Sequence, residues 1–337
     1  MSLRGKLLLV FICFGVAPVL LVCLWLWQWG GARAAEDAVR ANAEQGARHF
    51  ESEVEAALAG HETELQALAR SRAVGDLVRK AAASGSATGG AASGVATAAA
   101  PDGVADAVGL LLASERDAYA SISIIAADAP SRTLLRAEPP APGTSQPPRF
   151  QTGNFLPGQV RADGRVWGLS ESQPLRTLIS DESSYGVGVT YTVPVFSGDG
   201  GGGLSAPAGA VVAEVKLGPL FRQVGKDVTA FAVPAQTGVL SGGEETEESR
   251  PTRLAVALDQ SGRIVYHTNE ALLYQSAGAS MPHFGAVAHE MAAGAAGERF
   301  FNAPPEGDRW LVAYRPAPGL GLSLAVAINH TAATAVA

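Results

Sequence analysis

A run without a charged residue, LLLVFICFGVAPVLLVCLWLWQW at positions 7 to 29, constrains this chain more than any other feature. A helix of this length reaches roughly 34 Å, which is enough to cross the hydrocarbon core of a bilayer. Arg4 and Lys6 precede the run, and three tryptophans lie near its end. This pattern favours a retained transmembrane helix with a cytoplasmic N-terminus. A signal peptide is the alternative, although its apolar region usually spans only about 7 to 15 residues.

If the run is an anchor, the chain after about residue 30 faces outward from the inner (plasma) membrane. Both cysteines, Cys13 and Cys23, lie within the run, so the exported part has no disulfide, no cysteine-ligated metal and no cysteine nucleophile. The formal net charge of −7 provides no basic surface to follow a phosphate backbone, and we expect no nucleic-acid partner.

Residues 31–80 are mostly helix formers, and their apolar positions recur at a spacing near 3.6. The pattern predicts one long amphipathic helix that leads out of the membrane. Two interpretations of its apolar stripe remain open: the stripe packs on the domain that follows, or part of it pairs with a second copy of the chain. The stripe consists of Phe50, Val54, Leu58, Leu65 and Leu68.

Low-complexity segments divide the rest of the chain into blocks. Residues 81–103 are rich in Ala, Gly and Ser and predict a flexible insert. Pro-rich, Gly-rich and acidic stretches at 138–148, 197–209 and 242–249 also predict loops.

Two sets of short strands lie between these loops. β-branched and aromatic residues alternate through the first set, as in half-buried antiparallel strands; it comprises 119–128, a weak strand at 165–170, 185–196 and 209–217. A helix near 218–228 precedes the second set, which comprises a hairpin at 253–268 with its turn at Asp259 to Gly262, a helix at 281–294, a strand at 298–303 and a closing strand pair at 308–329. The order indicates an α+β fold rather than a doubly wound nucleotide fold.

Four stretches carry a resemblance to a known family. They are VTYTVPVFSGDGG with AGAVVAEVKLGPLF, then VALDQSGRIVYHTNEALL, and finally RWLVAYRPAPGLGLSLAVAIN, in which Leu322 stands where an aromatic residue is common. They resemble the strand, turn and hairpin signatures of double Cache sensor domains, the extracytoplasmic ligand-binding regions of bacterial transmembrane receptors. The resemblance covers about residues 30 to 330.

The resemblance implies two tandem PAS-like modules, each an antiparallel sheet with helices. It divides the chain into a transmembrane tip (1–30), a long signalling helix (31–80), a flexible insert (81–103), a membrane-distal module (104–217), a membrane-proximal module (218–330) and the start of a return helix (331–337). It implies a receptor segment that binds a small molecule in the distal module and transmits a helix displacement. The apolar stripe of the long helix separately predicts a homodimer through that helix. The end of the sequence at HTAATAVA leads us to expect a fragment of a longer receptor.

Candidate ligand-binding residues also come from the resemblance. Amino-acid-binding members carry an Arg-x-Trp-Tyr run in the distal module, which Arg165 and Trp167 match in part because Gly168 replaces the tyrosine. Asp181, Tyr185 and Glu214 lie near the places where acidic and aromatic partners fall. The alternative is that Trp167 is a core residue and Arg165 a solvated strand residue. His267 resembles a position near the proximal pocket, or is a satisfied surface or core residue.

The sequence contains no nucleophile elbow, zinc motif or carboxylate pair in a supporting context. We therefore expect no enzymatic activity in this segment and no metal or other cofactor. An anchored scaffold that binds a partner protein remains the alternative to a small-molecule sensor.

Overall fold

The computed structural model describes residues 17–85, 102–115, 117–127, 132–140, 147–151, 175–179, 186–196, 207–230, 252–304 and 307–335. Two compact units emerge: one combines residues 1–50, 227–316 and 323–337, and the other combines 51–226 and 317–322. The unit of residues 51–226 and 317–322 is called the first module, because its strands come earlier in the chain. The unit of residues 1–50, 227–316 and 323–337 is called the second module.

A long helix, α1 (Ala17–Ala69), opens the described chain. It was expected to run through residue 80, but it ends at Ala69 and a second helix, α2 (Arg72–Gly85), follows after a turn. Ser71 explains the break, because its Oγ accepts a hydrogen bond from the backbone N–H of Val74 at 3.3 Å, as an N-cap residue does.

The transmembrane prediction falls partly outside the described residues, since only 17–29 of its run belong to α1. Within the described chain, no helix combines the length and the apolar character needed to cross a membrane.

The first module contains a six-stranded sheet in the order β3-β2-β1-β6-β5-β4. After α3 (Asp102–Ser114), its strands are β1 (Tyr119–Ala126), β2 (Arg132–Glu138), β3 (Arg149–Gln151), β4 (Leu175–Ile179), β5 (Gly188–Val195) and β6 (Gly209–Lys216). All its neighbouring strands are antiparallel. The predicted strands at 119–128, 185–196 and 209–217 are confirmed, the one at 165–170 lies outside the described residues, and β2, β3 and β4 were not predicted.

The second module contains a five-stranded sheet in the order β8-β7-β11-β10-β9. Helix α4 (Leu217–Ala230) precedes β7 (Arg253–Asp259) and β8 (Ile264–His267); α5 (Ala277–Ser280) and α6 (Gly285–Ala292) follow, and then β9 (Gly297–Ala303), β10 (Asp308–Ala317), β11 (Leu322–Asn329) and α7 (His330–Ala335). The predicted hairpin turn is confirmed: Gly262 has φ +77°, and Asp259 Oδ1 accepts backbone hydrogen bonds from Ser261 and Arg263, both at 2.9 Å.

The apolar stripe of α1 packs on its own chain. Phe50, Val54, Leu58 and Leu65 are fully buried, and Leu68 is 7% exposed. The interpretation that the stripe packs on the following domain is therefore confirmed, and these side chains are not available as a seam for a second copy.

Candidate functional site

Of the five predicted ligand-binding residues, the structure describes one. Arg165, Trp167, Asp181 and Tyr185 lie outside the described residues. Glu214 lies on β6 of the first module, with its side chain 14% exposed. Glu214 is therefore the one predicted site residue whose surroundings the structure describes.

The two faces of the first sheet differ in chemistry. Directly opposed residues on antiparallel strands point to the same face, and the register places Thr190 opposite Glu214 and Glu214 opposite Ser121. One face consequently carries a polar group that we call the polar face: Ser121, Ser123, Arg136, Thr190, Thr192 and Glu214. Toward the other end of the same strands this face becomes apolar, with a buried cluster of Ile125, Ala210 and Val212.

The polar face is buried yet only partly satisfied. Ser121, Ser123, Thr190 and Thr192 are each 2% exposed or less. Ser121 Oγ donates to Glu214 Oε2 at 3.0 Å, and an Arg136 guanidinium nitrogen lies 4.0 Å from the same oxygen. The hydroxyls of Thr190 and Thr192, by contrast, have no hydrogen-bond partner among the described residues. Nothing in the sequence distinguished these two orphaned hydroxyls, and they make the polar face the candidate binding surface of this module.

The opposite face of the same sheet is hydrogen-bonded to α1. Tyr191 lies between the two orphaned threonines in sequence, and its hydroxyl donates to the Leu58 carbonyl at 3.1 Å. Arg176 on β4 donates to Glu62 at 2.5 and 2.8 Å and reaches Glu55 at 3.3 Å. Burial raises the pKa of Tyr191 well above its usual value, so the phenol keeps its proton. Strand β5 thus touches the polar face and the long helix with alternate residues.

The second module contains a cavity of about 410 Å³ on one face of its sheet. On strands β7, β9, β10 and β11 the lining residues are two positions apart, so they lie on the same face of the sheet. Met281, His283 and Phe284 also line the cavity. The lining comprises Leu254, Val256, His267, Met281, His283, Phe284, Phe301, Ala303, Pro304, Asp308, Trp310, Ala327 and Asn329. His267, which resembles a family position near the proximal pocket, lines this cavity. The other lining residues were not predicted as a site.

His267 is held neutral in this cavity wall. It is 5% exposed, and burial lowers its pKa to about 4. Its Nδ1 accepts a hydrogen bond from the Asn269 backbone N–H at 2.7 Å. The ring proton must therefore lie on Nε2, which leaves that nitrogen as a donor. No cluster of three or more metal-binding side chains occurs in the described part of the chain.

No protein-family model matches this sequence, and no curated protein matches it in a sequence comparison. Solved structures do resemble it. The extracellular domain of soHK1S-Z6, a protein designated a histidine kinase, is 16% identical, with coverage of 90% of this chain and 98% of that chain and a TM-score of 0.51. A domain of a Vibrio parahaemolyticus protein assigned to the sensory box/GGDEF family is 10% identical, with coverage of 89% and 99% and a TM-score of 0.51.

A third similar structure is the ligand-binding domain of the Pseudomonas fluorescens chemoreceptor CtaA in complex with L-isoleucine. It is 13% identical, with coverage of 93% of this chain and 100% of that chain and a TM-score of 0.49. Identities this low establish the fold alone. The chain shares the fold of the soHK1S-Z6 and Vibrio parahaemolyticus domains, with a long N-terminal helix followed by two antiparallel sheets, as the resemblance to double Cache, PAS-like sensor domains predicted.

Proposed function

We propose that this chain is the extracytoplasmic ligand-sensing region of a membrane-anchored signalling receptor. The fold is that of extracellular sensor domains, and the charge-free run at 7–29 supports a single N-terminal span. The small molecule binds in the first module, and the response is a displacement of α1. Enzymatic chemistry is not part of this role.

The orphaned hydroxyls of Thr190 and Thr192 carry the proposal. A buried polar group without a partner costs about 1–3 kcal/mol. Neither hydroxyl has a partner among the residues that the structure describes, so a ligand that bonds both would gain from satisfying them. Glu214 and Arg136 on the same face supply one charge of each sign. Such a surface suits a small zwitterion, with its amine at the carboxylate and its carboxylate at a guanidinium.

The four undescribed candidates, Arg165, Trp167, Asp181 and Tyr185, remain part of the proposed site. A planar guanidinium such as that of Arg165 can bind a carboxylate with two parallel hydrogen bonds.

Strand β5 connects the proposed ligand to α1, because successive residues of a strand point to opposite faces of the sheet. A ligand that bonds Thr190 and Thr192 biases the position of the strand, and Tyr191 between them holds the Leu58 carbonyl of α1. Arg176 adds ion pairs to Glu55 and Glu62 of the same helix. The ligand shifts the population between two helix positions by as much as its affinities for them differ.

A homodimer through the long helix belongs to this proposal, with a seam that avoids the buried stripe. The exposed side of α1 in the first module carries small residues, among them Ala56, Ala59, Gly60 and Thr63. Small side chains allow two helices to approach closely.

A thermal-shift panel tests the proposed function. The full chain, purified in detergent, is screened against amino acids, other carboxylates, amines and purines. A ligand that binds only the folded state raises the free energy of unfolding by about 2.7 kcal/mol at 100 times its Kd. We expect a zwitterionic hit. Silence across the panel in a folded sample would contradict the proposal and favour the partner-binding scaffold.

A further inference from the structure

We propose that the cavity of the second module is a separate binding site for a small organic amine, whose ammonium group pairs with Asp308 while its apolar body lies against the aromatic wall. This site is independent of the polar face of the first module. It would make the chain responsive to two ligands of different chemistry.

The charge of the cavity selects for a cation. Asp308 supplies a carboxylate, and no lysine or arginine is among the lining residues. His267 is neutral near pH 7, and burial also lowers the pKa of His283, so neither imidazole opposes a positive ligand. An anionic ligand would meet Asp308 without a compensating positive charge, and its binding is disfavoured.

Asp308 is held in place through one of its carboxylate oxygens, and its other oxygen faces no donor among the described residues. Its Oδ2 accepts a hydrogen bond from Asn329 Nδ2 at 2.9 Å, and the Asn329 Oδ1 in turn accepts one from the Ala332 backbone N–H at 2.9 Å. This chain of contacts fixes the carboxylate at the cavity wall. The Oδ1 atom of Asp308 receives no hydrogen bond from the described residues and remains available to an ammonium donor.

His267 adds a second directed group. Because the Asn269 backbone N–H occupies Nδ1, the Nε2–H of this buried ring is the donor that the ring offers. A ligand hydroxyl, ether or carbonyl oxygen placed beside the apolar body would accept this proton. The site therefore combines one anionic group on β10 with one neutral donor on the edge strand β8, and strands β7 and β11 lie between these two in the sheet.

The remaining wall is apolar and aromatic. The rings of Phe301 and Trp310 lie 6.4 Å apart at 15°, His283 stacks on Phe301 at 5.7 Å, and Phe284 meets Phe301 edge-on at 5.5 Å. Such rings favour both an apolar body and a neighbouring cation. A volume of about 410 Å³ lies toward the small end of ligand pockets, which fits a compact amine.

The test is isothermal titration calorimetry of the full chain, in detergent near pH 7, with three probes that share one body and differ in the head group: 2-phenylethylamine, 2-phenylethanol and phenylacetate. We expect the amine to bind and the anion not to bind. The Asp308→Asn variant keeps the size of the side chain and removes its charge, and it should weaken amine binding about 10- to 100-fold. Asp227→Asn, which removes an exposed carboxylate from α4, is the matched control and should leave binding unchanged.

Equal binding of the alcohol or the anion to the parent chain, no binding of the amine, or amine binding that persists in folded Asp308→Asn would each overturn this proposal. The probe series on the parent decides the question even if the variant fails to fold. Substitutions on the polar face of the first module should leave the amine titration unchanged, so failure here is distinguishable from failure of the proposed function.

Discussion

At the scale of single residues, burial decides what His267 can do. The sequence places it at the end of a hairpin, where a surface histidine would titrate near pH 6.5. In the structure it is 5% exposed and its pKa falls to about 4, with desolvation as the main cause.

This shift predicts a dependence of stability on pH. The folded-state pKa lies below the unfolded value, so between about pH 6.5 and pH 4 the unfolded chain binds a proton that the folded chain does not. Stability contributed by His267 is therefore lost as the pH falls through that window, by about 2 kcal/mol between pH 7 and pH 5. Urea unfolding at both pH values should show a larger loss for the parent than for His267→Gln. Equal losses would contradict the assignment.

At the scale of elements, the close packing of β6 depends on a residue with no side chain. A Cβ atom on Gly209 would lie 2.4 Å from the Ile125 carbonyl oxygen of β1 and 2.9 Å from Val78 of α2. The backbone oxygen cannot move without disturbing the ladder between β1 and β6.

Gly209→Ala should therefore destabilise the first module by about 1–3 kcal/mol in chemical denaturation. Gly75→Ala is the matched control, because Gly75 lies in helix α2 with nothing within 4 Å of its added methyl group. It should be neutral or stabilise by up to about 1 kcal/mol. Similar destabilisation by both variants would mean that the contact at Gly209 is not the cause.

The elements that sequence reasoning found are those with strong local patterns. Strands β5 and β6 alternate or run apolar over eight residues, and the Asp259 to Gly262 turn has its own side-chain chemistry. Strand β2, with the sequence RTLLRAE, lacks such a pattern and forms by pairing with β1. The cavity escaped prediction because its walls come from segments far apart in sequence, such as Leu254 and Asn329, whose proximity depends on the order of strands in the sheet.

At the scale of the whole molecule, the buried stripe of α1 changes how dimerisation can be tested. Substituting Leu65 and Leu68 with aspartate would place charges at sites that are fully buried or 7% exposed, and would unfold the first module rather than separate two folded copies. The exposed small residues of the same helix offer a cleaner test.

We expect Ala59→Arg together with Thr63→Arg to convert a dimeric parent to monomers in sedimentation velocity, because two long cations on each helix prevent close approach and repel. The thermal unfolding temperature of the monomer should change little, since both positions are exposed. A variant that sediments like a dimeric parent, or a parent that is monomeric at all concentrations, would rule out this seam.

The proposed function requires a small molecule to bind the polar face of the first module. Thr190→Val together with Thr192→Val removes both orphaned hydroxyls at nearly constant volume, whereas Tyr191→Phe removes a satisfied hydroxyl from the opposite face of the same strand. The most direct measurement is calorimetric titration of these two variants and the parent with the ligand from the panel.

We expect the double threonine variant to lose most of the affinity while its unliganded stability stays equal or rises. Tyr191→Phe should retain the affinity and lose about 1 kcal/mol of stability. Full affinity in a folded Thr190→Val, Thr192→Val variant would show that the ligand does not bind the polar face.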